Sequence, residues 1–207
     1  MKIAILGAEC TGKTQLAQAL AQQLAPQHPR TVWIPAYRRE WCAAHGRSPR
    51  VDEQTPIAQV QLERVQAQAA AALVLCDSTP LLSAVYSDVR FGDRSLYASA
   101  VAQQRSFGLT LLTGLDLPWV ADGIQRDGVA VRAQVDSRLR EVLLHHGIAF
   151  STVYGRGEAR TQNALQAISY ALGMPRTGGS NWRWPCETCS DPACERRLFS
   201  ALLQSQA

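Results

Sequence analysis

Ile3-Ala4-Ile5-Leu6-Gly7-Ala8-Glu9-Cys10-Thr11-Gly12-Lys13-Thr14-Gln15-Leu16-Ala17-Gln18-Ala19-Leu20 is the stretch that decides the fold. An apolar run of strand length enters G-x-x-x-x-G-K-[ST], and a helix-forming run leaves it. The motif carries information because of those flanks. Glycines let the backbone wrap closely, so that successive N–H groups and the helix N-terminus face phosphate oxygens. The loop Gly7, Ala8, Glu9, Cys10, Thr11, Gly12, Lys13 and Thr14 is therefore expected to cradle a nucleoside triphosphate, ATP. Lys13 would supply a point charge to the β- and γ-phosphates, and Thr14 a hydroxyl to Mg²⁺.

Outward from this loop, short apolar runs alternate with helical patterns. Strands are expected at Ile3–Leu6, Thr31–Ile34, Leu73–Cys76, Leu109–Thr113 and Phe150–Tyr154. Helices are expected at Lys13–Leu24, Tyr37–His45, Glu53–Ala72, Asp93–Arg105, Val131–His146 and Arg160–Leu172. In the stretch from Val131, the residues Val131, Val135, Leu139, Val142, Leu143 and His146 recur at helical spacing. Arg132, Asp136, Arg138, Arg140 and Glu141 take the opposite face. Such alternation predicts a three-layer α/β fold, a parallel sheet covered by helices on both sides.

The 207 residues suffice for one such domain, and 46% hydrophobic content is that of an ordinary globular chain. A formal charge of +4, spread along the sequence, demands no nucleic-acid partner and equally suits an anionic small molecule. No run approaches the roughly 20 apolar residues of a membrane span. The apolar N-terminus leads straight into the glycine loop, so it reads as a first strand of a cytoplasmic protein rather than a signal peptide. After Leu172 the turn-rich segment 173–181 leaves the core. The expected division is a P-loop domain over 1–172 and a tail over 173–207. Oligomeric state is not legible.

Leu73-Val74-Leu75-Cys76-Asp77 is an apolar strand ending in Asp, followed by Ser78 and Thr79. Asp77 would hold the metal, directly or through water, or take the proton of an attacking hydroxyl. A carboxylate there also suits a helix N-cap, and the roles are compatible. A GTPase would carry Asn-Lys-x-Asp after a late strand, where this chain has Thr113-Gly114-Leu115-Asp116. An oligomeric AAA-type motor would place Glu after Asp77, where Ser78 stands. What remains is a small-molecule kinase, which closes an arginine-bearing lid on the transferring group. Residues 117–128 contain two glycines and Arg126, with Arg132 a turn into the next helix. Those arginines either neutralise charge on the phosphoryl oxygens or sit as ordinary surface residues of a solvated loop.

Four segments occur in order: Gly-Ala-Glu-x-x-Gly-Lys-Thr, Tyr37-x-Arg39-Glu40-Trp41, Cys76-Asp77-Ser78-Thr79-Pro80 and Pro118-Trp119-Val120-Ala121-Asp122-Gly123. Together they resemble the ribosylnicotinamide kinase domain of NadR-type proteins and the wider ATPase family grouped with it. The resemblance covers roughly residues 1–172. It implies ATP-dependent phosphorylation of the 5′-hydroxyl of nicotinamide riboside, a nucleoside substrate, on the way to NAD. It assigns Lys13, Asp77 and Arg126 to catalysis, and Tyr37, Arg39, Glu40, Trp119 and Asp122 to the substrate region. Trp119 would wall that region or anchor the loop in the core, and Asp122 would fix the lid or a substrate hydroxyl. Gly155-Arg156-Gly157 follows the last strand, as an adenine contact through Arg156 or as a plain turn. One departure is Ala36, where the family often has Glu. A rival from another class is an ATP-binding regulatory switch without productive transfer.

In the tail, Cys186, Cys189 and Cys194 give C-x₂-C-x₄-C. Two thiolates at the first spacing chelate one ion, and the third lies near enough to join. A structural Zn²⁺, an iron–sulfur cluster, and free thiols or a redox pair all remain open readings. Histidines 28, 45, 145 and 146 show no pair at metal-binding spacing.

Overall fold

In the computed structural model the chain divides into two units, Met1–Met174 and Pro175–Ala207. The residues described are 1–68, 70–120 and 128–173. The three clustered cysteines, Asp122 and Arg126 lie outside them. Among the described residues the elements run in the order β1 (Lys2–Leu6), α1 (Lys13–Leu24), β2 (Thr31–Ile34), α2 (Tyr37–His45), α3 (Val51–Gln66), β3 (Leu73–Asp77), α4 (Pro80–Phe91), α5 (Tyr97–Gln104), β4 (Leu109–Thr113), α6 (Val129–His145), β5 (Ser151–Val153) and α7 (Gly157–Ala171).

The strands are all parallel and lie in the order β2-β3-β1-β4-β5. Parallel strands buried on both faces need apolar side chains at every position. Accordingly β3 is buried throughout, and β1 is buried from Ile3 to Leu6. One face packs Ala4, Leu6 and Leu112 against α4, α5 and α6; the other packs Ile3, Ile5, Leu75 and Leu111 against α1 and α7. This order places the carboxyl ends of β1 and β3 side by side, with Ile5 in register with Asp77. The P-loop and the acidic strand end thereby meet. Among the described residues no helix is long and apolar enough to cross a membrane.

Three corrections concern the helices. α4 is not among the expected helices, and its residues Pro80 to Asp88 are all buried, the polar Ser83, Ser87 and Asp88 included. Polar side chains on its buried side blur the core-facing stripe by which an amphipathic helix is read. Thr79 caps it, accepting from the Leu81 N–H at 3.3 Å, so Asp77 does not serve as the cap. α5 begins at Tyr97 rather than Asp93, because the Asp93 carboxylate accepts from the Ser95 N–H (3.0 Å) and the Ser87 hydroxyl (2.8 Å). Those bonds favour a turn over a helix. On α6, Arg132 and Asp136 are buried, not solvated: Arg132 donates to loop carbonyls and Asp136 pairs with Arg140 at 2.9 Å.

A buried carboxylate ties the helices of the first face together. Asp88 on α4 accepts from Tyr97 Oη at 2.9 Å and Arg94 Nε at 3.1 Å, with Arg138 Nε of α6 at 3.3 Å. Asp88 is buried whereas Arg94 is largely exposed and Arg138 half-buried, so losing the carboxylate chiefly leaves the Tyr97 hydroxyl without its acceptor. Asp88→Ala should lower unfolding free energy by about 1–2 kcal/mol, as measured by urea denaturation, with the α-helical spectrum retained.

Candidate active site

The P-loop conformation depends on missing side chains. Gly7 sits at φ +147°, and a Cβ there would lie 2.0 Å from Thr113 Oγ1. Gly12 caps α1 in the left-handed region at φ +73°, with Leu117 Cδ1 2.9 Å from where its Cβ would be. Between them Cys10 takes a left-handed φ of +56°, unusual for a residue with a side chain. Thr11 stabilises the turn from behind, donating to the Ala8 carbonyl (2.7 Å) and accepting from the Thr113 hydroxyl (2.7 Å).

Lys13 folds back to donate to the Ala8 carbonyl at 2.6 Å. Burial lowers its pKa from 10.5 to about 8; Arg39 adds to the lowering, while Asp77 and Glu9 oppose it. Thr14 donates to Asp77 Oδ2 at 2.5 Å. The other oxygen, Asp77 Oδ1, is buried and has no hydrogen-bond partner among the described residues. A hydroxyl beside a half-satisfied carboxylate is the oxygen donor set that Mg²⁺ takes, so these residues fit that ion. Just beyond, Ser78 is strained at φ +80° and is held by its N–H to the Ile5 carbonyl (3.0 Å).

A cleft of about 410 Å³ opens over this loop. Its donor side is formed by residues 9–15 with Asp77 and Ser78. Its opposite wall holds Ala36, Arg38, Arg39, Leu82 and Tyr86, and Leu117, Pro118 and Val120 overhang it. The overhang touches the cradle, since the Cys10 thiol lies 3.4 Å from the Val120 carbonyl.

The residues expected from the sequence divide accordingly. Glu9, Cys10, Thr11, Gly12, Lys13, Thr14, Asp77 and Arg39 line the cleft. Tyr37 and Glu40 stand outside its wall, in a brace between α2 and α3. Arg64 bonds Glu40 twice at 2.7 Å and lies 4.7 Å from the Tyr37 ring centroid. Those bonds hold the Glu40 carboxyl below its usual range. Trp119 is half-buried, its ring N–H buried with no partner among the described residues, while its neighbours Pro118 and Val120 face the cleft. Arg156 is exposed at the start of α7. The Arg132 guanidinium is engaged with the Leu115 and Leu117 carbonyls at 3.1 and 2.7 Å. It therefore holds the root of the overhang and does not reach towards phosphate.

Two further residues shape the wall. Arg38 lies 4.3 Å from the Tyr86 ring centroid and donates to Gln54 Oε1 at 3.2 Å. Buried Gln61 accepts the Tyr37 N–H at 2.8 Å and donates to the Ser78 carbonyl at 3.4 Å. Ala36, the residue before α2, has no polar side-chain atom to cap that helix, and Gln61 supplies the acceptor from α3. Their sequence signal was two glutamines seven apart on the stripe of Ile57, Ala58 and Val65.

The family model described as an AAA domain matches residues 2–160. The chain belongs to that family. No curated protein matches the sequence. Among solved structures, NadR protein with NR is similar at 18% identity and a TM-score of 0.71, over 86% of this chain and 53% of that one. NadR protein with NAD and AMP-PNP gives 18% and 0.67, over 86% and 51%. This chain thus spans about half the length of those NadR chains. Thymidylate kinase from Ehrlichia chaffeensis is similar at 13% identity and a TM-score of 0.60, covering 82% of this chain and 97% of that one. This AAA-domain chain thus has the parallel P-loop fold of nucleoside and nucleotide kinases, with Ser78 after its strand-end Asp77.

The Lys13 environment gives a pH prediction. Triphosphate binding favours the protonated ammonium, which the unliganded protein loses above about pH 8. ATP affinity should therefore be steady below pH 8 and fall about 10-fold by pH 9. Calorimetric titration at pH 7, 8 and 9 checks this, and Lys13→Ala should abolish the pH step.

Proposed function

We propose that this chain is an ATP-dependent phosphotransferase acting on a nucleoside, with the 5′-hydroxyl of nicotinamide riboside as the first acceptor to test. The observation that carries the reading is one cleft with two unlike walls. One wall has the P-loop, Lys13, Thr14 and Asp77; the other has Arg38, Arg39, Leu82 and Tyr86. A triphosphate on the first wall would point its terminal group at an acceptor on the second. The nicotinamide riboside assignment rests on the resemblance of the four sequence segments and on the likeness of fold to NadR.

In this reading the loop N–H groups and Lys13 bind the triphosphate and offset its charge. Thr14 and Asp77 would hold Mg²⁺, which when bound would supply positive charge beside the phosphates. Asp77 Oδ1 is the oxygen left over to hold the ion or an acceptor proton. Phosphoryl transfer proceeds through a loose transition state, so positioning and charge matter more than a strong base. Ala36 at the cleft wall is compatible with that chemistry. Arg126, Asp122 and Trp119 complete the proposal as the lid, the first to balance charge and the others to enclose the acceptor. Arg156 is assigned to the adenine side.

Arg38 favours a second acceptor class. Its partners among the described residues are neutral, a glutamine oxygen and a tyrosine ring, so its charge suits an acceptor bearing an anionic group. The experiment therefore incubates the protein with ATP, Mg²⁺ and a panel of nicotinamide riboside, other nucleosides and nucleoside monophosphates, following ADP. Acceptor-stimulated ADP release should exceed that of Lys13→Ala by about 100-fold. ATP binding without stimulated turnover for any acceptor would instead support the regulatory-switch reading.

A further inference from the structure

We infer that Arg160 is a positioning residue for the donor nucleotide, joining the loop after β5 to the phosphate cradle through a buried guanidinium. The inference rests on the reading that ATP is the donor. Arg160 lies on the first turns of α7, 4% exposed, far in sequence from the P-loop. One terminal nitrogen donates to the Thr11 carbonyl at 2.8 Å and the Gly114 carbonyl at 3.3 Å. The other donates to the Gly155 carbonyl at 2.8 Å and Asp116 Oδ1 at 3.0 Å. Asp116 in turn accepts the Gly155 N–H on Oδ2 at 2.7 Å. One planar fork thus holds three loops, those after β1, β4 and β5.

The Thr11 contact bears most directly on the site. A peptide unit is planar and trans, so its C=O and the following N–H point in opposite directions. Fixing the Thr11 carbonyl from behind fixes the Gly12 N–H away from Arg160, at a position that lines the cleft. Gly12 is free to rotate because it has no Cβ, so an external constraint on that peptide is needed to keep its donor aimed. The Gly155 contacts place the loop carrying Arg156 in the same rigid unit. A lysine could not reproduce this, since an ammonium is a point donor without the fork.

Calorimetry with ATP alone, without acceptor, tests the inference on Arg160→Ala, Arg160→Lys and Asp116→Asn, alongside steady-state KM values and thermal melts. Arg160→Ala should weaken ATP about 10-fold and raise KM for ATP, with acceptor KM within about two-fold of wild type. Arg160→Lys should stay closer to Ala than to wild type. A purely structural role would lower the melting temperature without separating the donor from the acceptor KM. If Arg160→Ala does not fold, Asp116→Asn decides, with an expected loss of about three-fold in ATP affinity at unchanged acceptor KM. Wild-type protein that binds ATP and folded variants that bind it equally well would overturn the inference alone. Wild-type protein that binds no ATP would overturn the donor reading beneath it.

Discussion

The chain must turn between β1 and α1 with its N–H groups facing inward, and everything near the cleft follows from accommodating that turn. At Gly7 a single methyl group would collide with Thr113 Oγ1 2.0 Å away. At Gly12 a left-handed backbone starts the helix whose first two residues are Lys13 and Thr14. The strained turn is then over-determined from behind. Thr11 and Thr113 share a buried hydroxyl pair, and Arg160 grips the Thr11 carbonyl from α7. Strain is sustained at a functional site only where neighbours fix it in this way.

The parallel sheet supplies the second half of the arrangement. Strand order β2-β3-β1-β4-β5 brings β3 beside β1, so the strand-end carboxylate reaches the helix-start hydroxyl at 2.5 Å. The same edge carries Ser78 in a strained conformation, tied to α3 by Gln61. Gln61 also fixes the first peptide of α2, and Gln54 fixes Arg38 on the same helix. The acceptor wall is thus positioned by two buried amides of α3. Each is satisfied at both ends, as burial of an amide requires.

Burial also changes what the charged groups do. Lys13, desolvated within the cradle, loses its proton near pH 8, so its charge is most stable when a triphosphate is there to compensate it. Asp88, Arg132 and Arg160 are buried charged groups of a different kind. Their partners are protein groups, and they hold helices and loops in place. Of these the sequence pattern places only Arg132, on the polar face of its helix, and each is structural because the fold gives it partners.

The sequence by itself determined the P-loop, the Asp77 strand end and the parallel α/β class, because these depend on local geometry and short-range pattern. Thr31–Ile34, Leu109–Thr113, Lys13–Leu24 and Tyr37–His45 coincide with their elements, as amphipathic or fully apolar runs with clear breakers should. Only the tertiary structure decided α4, whose polar Ser83, Ser87 and Asp88 are buried together with its apolar residues. It alone separated Arg39, in the cleft, from Tyr37 and Glu40, engaged by Arg64 across α2 and α3. It alone revealed Arg38, Gln61 and Arg160, whose roles come from partners 16 to 149 residues away. A side chain's type and neighbours in sequence set what it can do. What it touches is set by chain crossings that no local pattern encodes.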